Sequence, residues 1–391
     1  MLTRPKIVLI ATGIVLIALA VRLPWLDFQS RDYQAFVAQW YDFIKANGGF
    51  AALRYQFANY NVPYLYLLAI LTYLPVPVLA GVKMISVLFD LLLAFYAFKL
   101  VALKYPRGWQ PILAAVVVVL LPTVVVNSSL WAQCDSIYAA FGLGGVYYAV
   151  RSRPWLACVF FGLSLAFKMQ IVFVLPLLAI LVLLRKVPWP ALLVVPGVVL
   201  LLDGPALLAG ADPGALLSVY TDQVGEYTQL TLNAPNIYQF LDITTAADAW
   251  RTGGVLFTGA LVLGIILVAI ARRTPITIGR VILLATLFAI MVPFFLPAMH
   301  ERYFYMADVL SVVAAFYFPR RLWPVPVLVQ FASFFSYLPF LFGGRGDDGI
   351  MVDFPWLAAA MLVALLLAGW ETAVRLKPAS APAPALVALK Q

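Results

Sequence analysis

Charge is scarce in this 391-residue chain: Asp, Glu, Lys and Arg make up 11% of it, against roughly 25% in soluble domains. That shortage excludes the water-soluble enzyme classes, and it is too severe for intrinsic disorder or a coiled coil. Cysteine is almost absent. Cys134 and Cys158 stand in no Cys-x-x-Cys or other metal-ligand spacing, so neither zinc nor a disulfide framework is indicated. Histidine occurs once, at His300, which excludes a multi-histidine metal centre. Internal repeats, a Gly-rich phosphate loop and a large soluble domain are missing as well.

What fills the chain is apolar. Hydrophobic residues make up 64% of it and the mean hydropathy is +0.98. They come in long continuous blocks, not in the ~10-residue alternating segments of an outer-membrane barrel. The fold class is therefore an all-α polytopic membrane protein.

The net charge of +9, from 26 basic and 17 acidic residues, does not form a nucleic-acid patch. Its basic residues recur as short clusters between apolar blocks: Arg4 and Lys6, Lys104 and Arg107, Arg151 and Arg153, Arg185 and Lys186, Arg272 and Arg273, Arg320 and Arg321, Arg375 and Lys377. This is the positive-inside pattern. Taking each cluster as cytoplasmic predicts about twelve transmembrane helices in a single domain over 1–375, with both termini inside. The spans fall near 6–23, 82–103, 110–127, 137–150, 155–168, 170–184, 190–203, 253–271, 280–297, 303–318, 323–341 and 351–370. The first ends in Ala18-Leu19-Ala20, which imitates a signal-peptidase site, but many spans follow and it reads as an uncleaved anchor. The segment 63–75 is apolar and bounded by prolines but too short to cross, so it reads as an interfacial or re-entrant helix. The tail, 376–391, reads as flexible and cytoplasmic.

Two outer loops are long, 24–62 and 204–252. The first holds an amphipathic stretch with Tyr33, Phe36, Val37, Trp40, Tyr41 and Ile44 on one side, and Asp32, Gln39, Asp42 and Lys45 on the other. Ser30 caps its start and Asn47-Gly48-Gly49 its end, which predicts an interfacial helix with the aromatic stripe in the membrane surface. The second carries Asn233-Ala-Pro-Asn236.

A charge near hydrocarbon costs about 2.5–3.5 kcal/mol or more, so polar residues kept at helix ends are the best functional signal. They are Asp32, the turn Trp131-Ala-Gln133-Cys-Asp135, the turn Lys168-Met-Gln170, and His300-Glu301-Arg302-Tyr303. All fall on the extracytoplasmic side of a topology derived without them. One outward cavity follows, holding carboxylates together with Lys168, Arg302 and His300, the content needed to grip an anionic group while a carboxylate accepts a proton. Each also has a plainer reading: Lys168 as an interfacial snorkel, Asp135 or Asp32 as a helix-terminal cap, His300-Glu301-Arg302 as a solvated loop. Asp90, inside the second span, reads as a helix-packing hydrogen bonder.

Several pieces carry a resemblance: Asp32-Tyr33 with Phe36 and Trp40, Gly48-Gly49-Phe50, Asn59-Tyr60 to Tyr66, Lys83 to Asp90, Asn127 to Ser136, Phe167-Lys168-Met-Gln170, Asn233-Ala-Pro-Asn236 and Met299 to Tyr303. In order and sidedness they resemble the GT-C glycosyltransferases that use lipid-phosphate-linked sugars. Most similar are the prokaryotic mannosyltransferases related to the second mannosyltransferase of glycosylphosphatidylinositol-anchor synthesis. The resemblance covers about residues 1–310 and departs at Val62-Pro63, where relatives often read Pro-Pro, and at Ala132, where they often have Gly. It implies a GT-C fold, Asp32 as catalytic base, and a donor phosphate site at Lys168, His300 and Arg302. Trp40, Tyr60, Trp131, Gln133, Asp135, Gln170, Asn233, Asn236, Glu301 and Tyr303 then hold sugar or acceptor. The expected partners are a polyprenyl-phosphate-sugar donor, a glycan, lipid-linked or protein acceptor, and membrane lipids, with no nucleic acid. No cofactor is required; a divalent metal shared by Asp32 and Asp135 is the less favoured option. The competing readings are a transporter or flippase for a lipid-linked sugar, and a polysaccharide polymerase or ligase.

Overall fold

In hydrocarbon a backbone must satisfy its own polar groups, which leaves helices or closed barrels. This chain takes helices. The computed structural model describes residues 4–225, 227–242, 245–272, 275–343 and 350–376. Of the expected tail at 376–391, only Leu376 lies within them.

The chain runs through α1 (Arg4–Arg22), a non-spanning stretch with α2 (Ala38–Ala46) and α3 (Val62–Leu71), and the 27-residue α4 (Val78–Lys104). Next come α5 (Gln110–Leu120), α6 (Pro122–Val125), α7 (Asp135–Val150), α8 (Pro154–Phe167), α9 (Pro176–Leu183) and α10 (Val194–Leu208). The remainder holds α11 (Pro213–Gly225), β1 (Thr231–Leu232), α12 (Ala247–Ala271), α13 (Ile278–Phe295), β2 (Met299–His300) and α14 (Tyr305–Tyr317). It closes with α15 (Pro319–Leu322), α16 (Pro324–Phe342) and α17 (Phe354–Arg375).

Seven helices among the described residues are long and apolar enough to cross a membrane, or eight if the bent pair at α5 and α6 counts as one span. The molecule is a multi-pass membrane protein. The helices at 137–150, 155–168, 170–184 and 303–318 do not qualify as full spans: α7, α8, α9 and α14 have 16, 14, 8 and 13 residues, short of the ~20 that cross a bilayer. They pack inside the bundle, where neighbouring helices can accommodate irregular backbone at membrane depth. The stretch 110–127 is not straight either. Pro122 cannot donate a helical hydrogen bond and pushes Leu121 into an extended conformation, and the axis bends by 50°.

Burial sorts the helices. Every residue of α13 from Val281 to Phe294 is buried, as expected of a helix apolar on all faces at the centre of a bundle. On α12, by contrast, Leu256, Leu263 and Leu267 are 61–69% exposed, a surface that only lipid would favour.

The first long loop is helical where expected, and Ser30 Oγ accepts the Tyr33 N–H at 3.1 Å. Its aromatic stripe is not in the membrane surface. Tyr33, Val37, Trp40, Tyr41 and Ile44 are buried against α3 and the Ala132–Ile137 turn, and only Phe36 stays exposed. Asp32, expected on the solvent face, is buried too. The reason is a π-type turn at Tyr33–Val37, which rotates the start of the helix relative to a regular α-helical wheel.

Two buried cations set the path into this loop. Arg22, at the end of α1, meets Asp90 of α4 at 2.8 Å and also donates to the Ala18 and Val119 carbonyls. Asp90 is thus a packing residue. Lys83 donates to the carbonyls of Trp25, Leu26 and Phe28 at 2.6, 3.1 and 2.6 Å, using all three ammonium hydrogens. Removing one partner of a buried pair strands the other, at a cost of ~3–5 kcal/mol. Arg22→Met should therefore lower the thermal midpoint in detergent sharply, and the Arg22→Met/Asp90→Leu double variant should recover most of the loss. Equal losses in both would show that the two charges are not coupled.

Candidate active site

The site is built on the turn Trp131–Asp135, and its shape follows from local backbone. A second π-type turn, at Val126–Leu130, precedes it, and Ala132 then takes a left-handed conformation at φ 62°. The Gln133 N–H closes the turn on the Asn127 carbonyl at 2.9 Å. Two serines clamp it from outside: Ser30 Oγ donates to the Trp131 carbonyl and Ser86 Oγ to the Gln133 carbonyl, each at 2.6 Å. For alanine, the left-handed region costs about 1–2 kcal/mol, so these contacts over-determine a strained turn.

Reversing the chain at Ala132 sends both Trp131 and Gln133 toward Asp32. Trp131 Nε1 and Gln133 Nε2 donate to Asp32 Oδ2 at 3.0 and 2.6 Å, and Arg302 lies 3.7 Å from the same oxygen. Among the described residues no hydrogen bond or ion pair reaches Oδ1. The Tyr60 hydroxyl donates to Gln133 Oε1 at 3.2 Å, and Trp40 packs on the Tyr60 ring at 5.0 Å. Trp40 thus reaches the carboxylate only through Tyr60 and Gln133.

Lys168 does not snorkel. Its ammonium is buried 2.6 Å from Asp135 Oδ1, with the Tyr60 ring 5.2 Å away. Burial by itself would depress this ammonium, but the Asp135 carboxylate holds it well above the usual lysine range. Asp135 is not a side-chain cap either: its other oxygen accepts from Asn127 at 2.7 Å. Burial pushes the Cys134 thiol up to about 11, so it is no nucleophile at neutral pH. Burial likewise raises the Tyr60 hydroxyl, which stays a protonated donor.

The His300–Tyr303 segment is placed by β2, which pairs in parallel with β1 as Leu232↔His300, between left-handed residues at Asn233 and Ala298. Glu301, buried, receives Arg302 at 3.0 Å and lies 3.7 Å from His300 Nδ1. The Arg302 guanidinium stacks over Trp131 at 5.5 Å, and its buried Nε has no hydrogen-bond partner. Gln170 lies beside the Tyr303 hydroxyl, with Oε1 buried and also unpartnered. Tyr227 and Tyr303 pack their rings on His300 at 4.8 and 5.2 Å.

Most of the residues chosen from sequence therefore meet in one cluster. The exceptions are Asn233, which joins through its backbone bridge to His300, and Asn236, which caps a short 3-10 turn by accepting the Tyr238 N–H at 3.2 Å. Other members were not foreseen. Asn127 carried a signal, as a polar residue in an apolar run. Tyr337 and Phe340 of α16, which pack on Trp131 at 5.1 Å each, carried none, being aromatics in an aromatic helix. Among the described residues no three His, Cys, Asp or Glu side chains are grouped to hold a metal. The carboxylates of Asp32 and Asp135 are engaged by the amide, indole and cationic partners already named.

Ala132→Gly should keep or raise the thermal midpoint, whereas Ala132→Val should destabilise by about 2 kcal/mol, because a β-branched side chain is poorly tolerated at positive φ. Equal midpoints for the two would mean that the turn relaxes freely.

No protein-family model matches the chain, and no curated protein matches it.

Proposed function

We propose that the protein is an inverting glycosyltransferase of GT-C architecture with about twelve membrane segments. It moves a hexose, with mannose as first candidate, from a polyprenyl-phosphate-linked donor to an acceptor hydroxyl on the extracytoplasmic face. On this reading the basic clusters face the cytoplasm together with both termini, and the resemblance to prokaryotic enzymes makes the membrane a prokaryotic cytoplasmic one. The observation that carries the reading is the convergence of Asp32 and Arg302, 3.7 Å apart, with the buried Lys168–Asp135 pair in one enclosed polar cluster.

The chemistry is a single displacement. Asp32 Oδ1 takes the proton of the acceptor hydroxyl as that oxygen attacks the anomeric carbon, and the bond from that carbon to the phosphate oxygen breaks on the opposite side. Its electron pair leaves with polyprenyl phosphate, so the phosphate becomes a monoester and needs charge stabilisation more than protonation. Arg302 Nε is an unused donor for it, and Lys168 makes one side-chain hydrogen bond where an ammonium has three to give. His300 orients the phosphate; Gln170 Oε1 is a waiting acceptor for a sugar hydroxyl. The trio on Oδ2 fixes the carboxylate's orientation, which is what a general base must have before its basicity matters.

A transporter or flippase draws on the intramembrane carboxylates. Asp90 is already matched by Arg22, whereas Asp308 of α14 is buried beside Ser333, Thr123 and Gln330 with no cation paired to it among the described residues. The discriminating assay uses purified protein in detergent with synthetic polyprenyl-phosphate-mannose, -glucose and -arabinose, following release of polyprenyl phosphate. One donor should turn over, and Asp32→Asn should lose at least ~10²-fold while still binding it. Wild-type turnover by Asp32→Asn would sink the base assignment, and no turnover with any donor would favour transport. Because Lys168 and Arg302 supply the charge stabilisation, full activity is expected in saturating EDTA; a loss restored by added Mg²⁺ or Mn²⁺ would show instead that a metal participates.

A further inference from the structure

We infer that the end of the bundle opposite the candidate site holds the headgroup of one anionic phospholipid. The inference stands apart from the transferase reading. It rests on a cavity of about 230 Å³ between α4 and the turn that joins α7 to α8, lined by Lys99, Arg151 and Arg153 and by no carboxylate. The 16 residues of α7 separate this cavity from Asp135 by ~24 Å of helix. The turn fixes the two arginines. Past the end of α7, the Arg153 N–H donates to the Tyr148 carbonyl at 3.0 Å and the Ser152 N–H to the Ala149 carbonyl at 3.1 Å, with Ser152 left-handed at φ 55°. Lys99 comes from α4, its ammonium 5.9 and 5.4 Å from the ring centres of Phe95 and Tyr147.

Basic residues at this end are ordinary under the positive-inside rule. What sets these three apart is a shared cavity and the lack of an acceptor. Elsewhere at this end the protein answers its own cations: Lys104 donates to the carbonyls of Phe316 and Tyr317, Arg272 to that of Ala373, and Arg321 and Arg375 both pair with Glu371. Among the described residues Lys99, Arg151 and Arg153 make no side-chain hydrogen bond or ion pair. Three like charges around one cavity repel one another, and an anion among them reverses the sign.

The surroundings select a lipid as the source of that anion. With 27 residues α4 is ~40 Å long against a hydrocarbon core of ~30 Å, so its last turns stand at headgroup depth. Tyr147 and Tyr148, also in the lining, are the amphipathic rings that settle at this depth. The cavity is smaller than the ~300–1,000 Å³ that encloses a whole small ligand, so it takes a headgroup and leaves the remainder outside. For that remainder α4 offers Leu88 and Phe95, both exposed, eleven and four residues before Lys99 on one helical face. Acyl chains lie along that strip while the phosphate sits among the three cations, as basic pockets between membrane helices hold anionic headgroups.

The test titrates the full chain, delipidated in dodecyl maltoside, with dioctanoyl phosphatidylglycerol, dioctanoyl phosphatidylcholine and inorganic phosphate, read by native mass spectrometry and by the thermal midpoint. One phosphatidylglycerol should bind per chain, at least about tenfold more tightly than phosphatidylcholine, and inorganic phosphate at the same concentration should not displace it. Arg151→Gln/Arg153→Gln should weaken that binding at least about tenfold and Lys99→Gln about fivefold. Both arginines are exposed, so the lipid-free midpoint of their double variant should match the wild type. Arg185→Gln/Lys186→Gln removes the same charge from exposed residues outside the cavity and should change the affinity less than about twofold. Absent saturable binding, equal binding of phosphatidylcholine, or an equal loss in the Arg185/Lys186 pair would each overturn the site, the last two in favour of general attraction to the surface. Inorganic phosphate binding as tightly as the lipid would overturn the lipid and assign the cavity to a free anion.

Discussion

The grip on the Trp131–Gln133 turn is the constraint from which the rest of the site follows. Through its side chains the turn orients Asp32, and through its carbonyls it is held by Ser30 and Ser86. Two residues on, Asp135 fixes Lys168, and the Trp131 ring lies under Arg302. One strained alanine thus brings a helix-end carboxylate, a buried lysine and a distant arginine into register. A regular helix in its place would point Trp131 and Gln133 about 200° apart and could not aim both at one oxygen.

Energetically the cluster is costly and therefore informative. Ions removed from water are tolerated only when paired and hydrogen-bonded, and the charges here obey that rule: Arg22 with Asp90, Lys168 with Asp135, Arg302 with Glu301 and Asp32. Among the described residues thirteen buried side-chain atoms lack a partner. Four belong to the site, Asn127 Oδ1, Gln170 Oε1, Arg302 Nε and the Tyr337 hydroxyl; of these Arg302 Nε and Gln170 Oε1 are a donor and an acceptor where a phosphate and a sugar are proposed to bind. The purely structural pair at Arg22 and Asp90 lies deeper and tethers α1 to α4, so the loop that carries Asp32 starts from a fixed point.

Much of the site was legible because membranes punish polar residues. Asp32, Gln133, Asp135, Lys168 and Arg302 were conspicuous at the ends of apolar blocks, and the positive-inside rule put them on one side. What the pattern could not supply was their pairing. Asp135 looks like a helix cap in sequence and is an ion-pair partner in space; the aromatic stripe of the first loop looks like a membrane face and is a protein core. The π-type turn at Tyr33–Val37 accounts for the second error, since one extra residue per turn moves Asp32 off the face that a 3.6-residue wheel assigns it.

By itself the sequence determined that this is a helical membrane protein, roughly where its apolar blocks lie, and which polar residues those blocks retain against their cost. Such properties are local, set by composition and by the short period of a helix. Tertiary structure decided which helices reach full spanning length, how α5 and α6 bend, and who meets whom. Asp32 and Gln133 are 101 residues apart, Arg22 and Asp90 68, Lys168 and Asp135 33. No local periodicity encodes contacts at such separations. They arise only when helices pack, and it is in that packing that a buried charge finds the partner that lets it remain.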